Sequence, residues 1–297
     1  MQTEVGQPRA ADLTRHRLAL LAAAALWSLG GVFIKKLPVS AFGITLYRSL
    51  SAFLCLLPFL RGRKWPRWQD ALVAIALYVA LLVLYVASVQ GTTSANAILL
   101  QYTAPLYAMV LGPLFFRETF RRSDLSALIV AMIGIGILLA GSFHGTQRLA
   151  LLEGLGSGAM FGVFLLWLRH MRYADPIVVT AINNAGVALL ATLVVARVTP
   201  AELRLLPDAL RGAGSPMIAA LLVLMGCIQI AVPYALFSYG LQQVPAVEAS
   251  LLALTEPLLN PVWVAMFAGE VPSRWTLMGG GLILSALVLR YRLFKTD

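Results

Sequence analysis

Of the 297 residues, 60% are hydrophobic and 12% charged, and the mean hydropathy is +0.82. A water-soluble domain carries roughly twice that charged fraction, so this chain could not cover itself with polar groups in water, and no charged stretch is long enough for a separate soluble domain of ordinary size. The net charge of +10 does not point to nucleic acid, because the basic residues lie in short loops beside apolar runs, where they serve as topology signals and contacts for anionic lipid headgroups.

At the N-terminus, Arg9, Arg15 and Arg17 precede an apolar run from Leu18 to Ile34, which looks like the charged and hydrophobic regions of a signal peptide. The run ends in Lys35-Lys36-Leu37-Pro38 without an Ala-x-Ala-type cleavage site, and further apolar runs follow at once, so it reads as a retained first helix. Crossing about 30 Å of hydrocarbon takes roughly 20 helical residues. The runs that meet this are 18–35, 39–60, 71–90, 94–116 and 124–143, then 151–168, 174–196, 216–240, 246–268 and 274–291. Turns at Gly91-Thr92-Thr93-Ser94 and Gln242-Gln243-Val244-Pro245 separate neighbours that would otherwise make helices far longer than the membrane is thick. Lipid cannot satisfy open backbone groups and the runs are too long for barrel strands. The expected fold is an all-α integral membrane protein of ten transmembrane helices.

Alternate loops differ in basic charge. One side receives Arg9, Arg15, Arg17, the cluster Arg61, Arg63, Lys64 and Arg67, then Arg117, Arg121, Arg122, Arg169, Arg172, Arg290, Arg292 and Lys295. The other receives Lys35, Lys36, Arg148, Arg197, Arg204, Arg211 and Arg274. The richer side is cytoplasmic, which puts both termini in the cytoplasm of a multi-pass cell-membrane protein, in a bacterium the inner membrane.

The halves repeat. Ala97, Leu99, Leu100, Thr103 and Pro105 recur as Ala249, Leu251, Leu252, Thr255 and Pro257. At the same offset Gln90 meets Gln242, Glu118 meets Glu270 and Arg122 meets Arg274. Leucine matches are cheap in an apolar chain; coincident Pro, Thr, Glu and Arg are not. The segments are an N-terminal piece 1–17, a five-helix repeat 18–143, a linker 144–150, a second repeat 151–291 and a tail 292–297. Five spans per half place equivalent helices in opposite orientations, giving two inverted repeats that can open a central site to one side and then the other.

The Ala-Leu-Trp27-Ser28 region followed by Gly30-Gly31, Arg48 in the second span, and in each half a Pro-containing fourth helix ending in Glu (Pro105 to Glu118, Pro257 to Glu270) precede Gly-rich helices with Gly134, Gly136 and Gly279-Gly280-Gly281. In these features, from Leu18 to Leu293, the chain resembles the drug/metabolite transporter superfamily, specifically ten-helix EamA-type transporters. That resemblance implies transport of a small metabolite; such proteins carry diverse solutes, including amino acids, and some export toxic compounds. An aromatic amino-acid exporter is the expected subtype.

Arg48 lies about ten residues into its span, where an isolated charge in lipid is costly. It is read either as a contact for a substrate carboxylate or as a structural anchor satisfied by carbonyls or an acid. Glu256, beside Pro257 in the ninth span, is a candidate for proton coupling or for a substrate ammonium; its counterpart in the first half is Ala104, so the repeat's packing does not require an acid there. Glu118 and Glu270 sit at membrane edges and read as caps or loop partners. Gln101, Tyr102, Asn183, Asn184, Gln229, Tyr234 and Asn260 offer donors and acceptors to a central cavity or connect helices. Trp27, Tyr78, Tyr85, Trp167 and Trp263 supply aromatic surface suited to an amphipathic solute, whether an amino acid or an organic cation held by cation–π contacts.

There is no Walker phosphate loop, HExxH pair or dinucleotide glycine fingerprint, so neither a cofactor nor an enzymatic reaction is expected. Three separated histidines do not make a metal cluster. Cys55 and Cys227 read as buried small hydrophobes, a disulfide being conceivable. The expected partners are a small organic solute and membrane lipids, with no nucleic acid and no obligate protein partner. The expected function is secondary export of neutral or aromatic amino acids or related metabolites by alternating access. The alternatives are a multidrug or quaternary organic-cation exporter and, further off, an intramembrane enzyme or a structural or lipid-scrambling protein.

Overall fold

The computed structural model describes residues 10–116, 122–142, 147–240, 243–244 and 252–293, and every regular element among them is helical. The first half begins with α1 (Ala10–Ser28) and α2 (Gly30–Lys36), one span interrupted at Leu29. Next comes α3 (Ala41–Leu56), started by Ser40, whose hydroxyl accepts from the Gly43 amide at 3.1 Å. Then follow α4 (Trp68–Gly91), α5 (Ser94–Gln101), α6 (Ala104–Phe116) and α7 (Arg122–Ser142). The second half has α8 (Gln147–His170) and α9 (Pro176–Val198), the latter opened by an Asp175 cap and a proline in the first turn, where no intrahelical N–H is needed. A short α10 (Leu205–Leu210) precedes α11 (Pro216–Gly226), a π-helical turn (Cys227–Ala231), α12 (Val232–Gly240), α13 (Thr255–Ala268) and α14 (Arg274–Leu293).

Among the described residues, six stretches are long and apolar enough to cross a membrane: Leu13–Lys36, Ala41–Phe59, Trp68–Gly91, Gln147–Leu168, Pro176–Val198 and Pro216–Gly240. Large apolar side chains such as Leu72, Met132, Leu189, Leu193 and Met266 are exposed, which only an apolar surrounding makes tolerable. The expected turn between the third and fourth spans falls at Thr92-Thr93, where Thr93 caps α5. Three details depart from ten plain spans. The fourth span is broken at Tyr102-Thr103, the eighth contains the π-turn, and the loop after α9 folds into a 3-10 turn (Pro200–Arg204) and α10. Of the second expected turn Gln243 and Val244 are described, while residues 241–242 and 245–251 lie outside the described residues.

The cysteine reading needs correction. Cys55 and Cys227 form a disulfide, their Cα atoms 6.0 Å apart. They are distant in sequence, and only the packing of α3 against α11 and the π-turn brings them together.

Helix packing maps onto itself when the two halves are exchanged. The first span packs on α12 and α13, and its counterpart α8 packs on α4 and on α5 and α6. Likewise α3 contacts α11, and its counterpart α9 contacts α4. The pairs α3–α9, α5–α13 and α7–α14 map onto themselves and so lie along the symmetry axis. The centre of the bundle is therefore built from both halves, not enclosed within either.

Candidate functional site

Arg48 is on α3 and only 3% exposed. Its Nε and Nη1 atoms have no hydrogen-bond partner. Within electrostatic reach of the guanidinium are Tyr78 and Tyr85 from α4, Tyr234 from α12 and Glu256 from α13. Tyr78 also neighbours Asn184 on α9. Tyr102, at the break between α5 and α6, places its hydroxyl 2.8 Å from Glu256 Oε2 and 3.0 Å from the Ala253 carbonyl. Trp27 meets Tyr234 edge to face with ring centres 5.3 Å apart. Gln229 donates to the Trp27 carbonyl at 3.3 Å. The sequence candidates Trp27, Arg48, Tyr78, Tyr85, Tyr102, Asn184, Gln229, Tyr234 and Glu256 thus belong to one connected group drawn from both halves.

Two properties distinguish this group from ordinary interhelical contacts. Arg48, Tyr78, Tyr85 and Gln229 are buried, while Trp27, Tyr102, Tyr234 and Glu256 keep partial exposure. The group also holds unused hydrogen-bonding capacity: besides the guanidinium, Asn184 Oδ1 and Gln229 Oε1 have no partner, nor does Asn183 Oδ1, next to Asn184 in α9. A buried group left unsatisfied costs about 1–3 kcal/mol, more when charged, so these unpaired atoms make the centre the candidate site.

Other sequence candidates are committed elsewhere. Asn260 is fully buried, accepting from Ser94 Oγ at 2.9 Å and donating to the Ser28 carbonyl at 3.0 Å. Trp263 donates to Ser28 Oγ at 2.9 Å. Together they tie α13 to α1 and α5, which is connector work. Gln101 donates to Ser157 Oγ at 3.0 Å, and that hydroxyl donates to the Leu81 carbonyl, joining α5, α8 and α4. Trp167 donates to the Asp70 carbonyl at 2.9 Å and lies beside His170, at one end of the bundle.

Sequence reasoning missed a tie between the halves at each end of the bundle. At one end, Arg63 from the α3–α4 loop pairs with Asp175, the cap of α9, at 2.8 Å. Nearby, Tyr173 donates to Asp70 at 2.5 Å and accepts from the Arg67 amide. At the other end, Glu202 from the α9–α11 loop accepts from the Ser40 amide and hydroxyl at 2.8 and 2.6 Å, and Tyr47 donates to the Glu202 carbonyl. In both ties a loop from one half grips the N-terminus of the second helix of the other. The caps Ser40 and Asp175-Pro176 were visible as start signals; their partners, far off in sequence, were not. Ser40→Ala removes both the cap and one bond to Glu202, and is expected to destabilise by about 1–2 kcal/mol, read as a lower Tm of the detergent-solubilised protein. An unchanged Tm would show that this tie contributes nothing.

Glu270 occupies the edge position expected of it, pairing with Lys35 at 3.3 Å and accepting from the Ser94 amide at the start of α5. A cavity of about 280 Å³ beside it is lined by Lys35, Lys36, Ala268 and Glu270. Glu118 lies outside the described residues.

An all-helical bundle of apolar spans, made of two related halves around a shared polar centre, defines an integral membrane protein of the solute-carrying kind. Residues 16–140 and 148–292 each match the EamA-like transporter family, and the chain belongs to that family. An uncharacterized transporter of Archaeoglobus fulgidus is 29% identical over 279 residues, covering 92% of this chain and 95% of that protein. The uncharacterized transporter YwfM of Bacillus subtilis is also 29% identical, over 230 residues, covering 75% of this chain and 74% of its own length. A solved crystal structure superposes with a TM-score of 0.66 at 16% identity, over 94% of this chain and 98% of that one, a likeness of fold. The chain is a multi-pass membrane transporter of a small solute.

Proposed function

We propose that this transporter exports neutral or aromatic amino acids, or closely related small metabolites, by alternating access at the centre of the bundle. The observation that carries this reading is a single carboxylate, Glu256, among Tyr85, Tyr102, Tyr234 and Trp27, a group assembled from both halves. A carboxylate among aromatic rings suits a solute with a cationic amine and an apolar or aromatic body. Inverted five-helix repeats, with both termini in the cytoplasm of the bacterial inner membrane, supply the mechanism: exchanging the conformations of the halves exposes the centre to each side in turn. The two ties at opposite ends fit such a cycle as gates, the Arg63–Asp175 tie facing the cytoplasm and the Ser40–Glu202 tie facing outward. Glu256 suits a role in proton coupling as well as in solute binding.

An organic-cation exporter is the second reading, favoured by the same aromatic surroundings of Glu256. Proteoliposomes separate the two. Saturable counterflow of phenylalanine or leucine is expected; movement of quaternary cations with no amino-acid flux would replace the first reading with the second. No movement of either class in sealed, reconstituted vesicles would remove both.

A further inference from the structure

Glu256 accounts for the cationic end of a solute and leaves Arg48 without a task. In the low-dielectric interior of a membrane protein, opposite charges that can reach one another attract strongly and normally pair. Arg48 and Glu256 are within electrostatic reach, yet Glu256 accepts from Tyr102 and Arg48 presents Nε and Nη1 to no acceptor. Each of those two atoms belongs to a different two-pronged side of the guanidinium, Nε with Nη2 and Nη1 with Nη2, and either side can match the two oxygens of a carboxylate. Arg48 rides on α3, which is packed against α9 and joined to the π-turn region by the Cys55–Cys227 disulfide, while Glu256 rides on α13, which packs on α1 and α5. Gly226 sets the close approach on the α3 side, since a side chain there would meet the Arg48 carbonyl, and Ser51 Cβ at 2.5 Å.

The orphaned amide oxygens add direction. Asn184 Oδ1 and Gln229 Oε1, from the same connected group, are acceptors without donors. The centre thus offers a guanidinium with unpaired donors, an anionic group at a separate point, and spare acceptors nearby. A cationic drug would use the second and third features and leave the buried guanidinium repelling it. A zwitterion uses all three.

We infer that Arg48 is the anchor for a substrate carboxylate, so that the site selects α-amino acids over amines of the same side chain. This deepens the amino-acid reading above and rests on it for the ammonium end only. It also explains why a charge is kept at this depth with its donors unspent: a bound carboxylate completes their bonding.

The test uses the full-length transporter in proteoliposomes with three labelled probes: phenylalanine, phenethylamine, which lacks the carboxylate, and 3-phenylpropionate, which lacks the ammonium. The wild type is expected to move phenylalanine at least about tenfold faster than phenethylamine. Arg48→Gln should lower phenylalanine flux about thirtyfold or more while phenethylamine flux stays within about twofold, collapsing the preference; Arg48→Lys should recover part of it, since a point charge replaces a two-pronged one. An Arg48→Gln protein that keeps the wild-type preference overturns the proposal. Should that variant fail to fold, competition on the wild type decides: phenylalanine amide that inhibits phenylalanine flux as well as unlabelled phenylalanine does would equally overturn it. Arg48-dependent flux of 3-phenylpropionate without phenylalanine flux would uphold the carboxylate anchor and remove the amino-acid reading. Transport of phenethylamine alone would remove both.

Discussion

Glu256→Gln is expected to cut solute flux by about tenfold or more while leaving the fold intact. The amide matches the carboxylate in size, and its carbonyl oxygen can still accept from Tyr102, which now lies 2.8 Å from Oε2. What disappears is the negative charge, and with it both the proposed partner for a substrate ammonium and the proposed proton carrier. Replacing a buried carboxylate by a neutral amide relieves its desolvation, so the Tm of the variant should be equal to or above that of the wild type. Flux into proteoliposomes, measured with and without a pH gradient, reads the first expectation and a thermal melt reads the second. Tyr102→Phe is a milder companion: the ring stays, the hydrogen bond goes, and flux should fall by less than in Glu256→Gln. Unchanged flux and an unchanged response to the gradient in Glu256→Gln would leave the carboxylate without a role.

The largest structural effect is expected at Gly31. A β-carbon there would collide with Ser94 Oγ and lie 2.8 Å from Asn260 Nδ2 and 2.9 Å from Val264 Cγ2. The first two atoms belong to the hydrogen-bonded junction of α1, α5 and α13, so a side chain at Gly31 overpacks the seam and breaks the junction's bonds together. Overpacking costs about 1–3 kcal/mol and each buried polar group left unpaired about as much again. Gly31→Leu should therefore lose about 3 kcal/mol or more, seen as loss of the monodisperse peak in detergent or a large fall in Tm. Gly136 is the control, because a β-carbon there meets nothing within 4 Å; Gly136→Ala should leave the Tm unchanged. If the two variants behaved alike, the close approach at Gly31 would not be stabilising the bundle.

The two predictions bear on different parts of the molecule for one reason. Polar residues in this bundle divide into those whose bonding is complete and those whose bonding is not. Asn260, Gln101 and Ser157 are complete and hold helices together. Arg48, Asn184 and Gln229 are incomplete and surround the centre. Nothing in residue type separates the classes: Asn184 and Asn260 are both asparagines in apolar spans, and both were read as cavity candidates or connectors with equal weight.

What the sequence determined by itself is what depends on position along a helix. Apolar length, the basic loops, the recurrence of Thr103 and Pro105 as Thr255 and Pro257, and the depth of Arg48 and Glu256 are all legible because a helix advances a fixed distance per residue. The helical membrane fold, the family and two of the central charges follow from these. The tertiary structure decided which neighbour each face meets. It paired Cys55 with Cys227, spent Asn260 on Ser28 and Ser94, sent Trp167 to an end of the bundle beside Asp70, and set Glu202 on Ser40. In a chain this uniformly apolar, hydrophobic periodicity scarcely distinguishes the face turned to lipid from the face turned inward. Rotation about the helix axis is then fixed by close packing at glycines and by hydrogen bonds between distant residues, and neither can be read along a single strand of text.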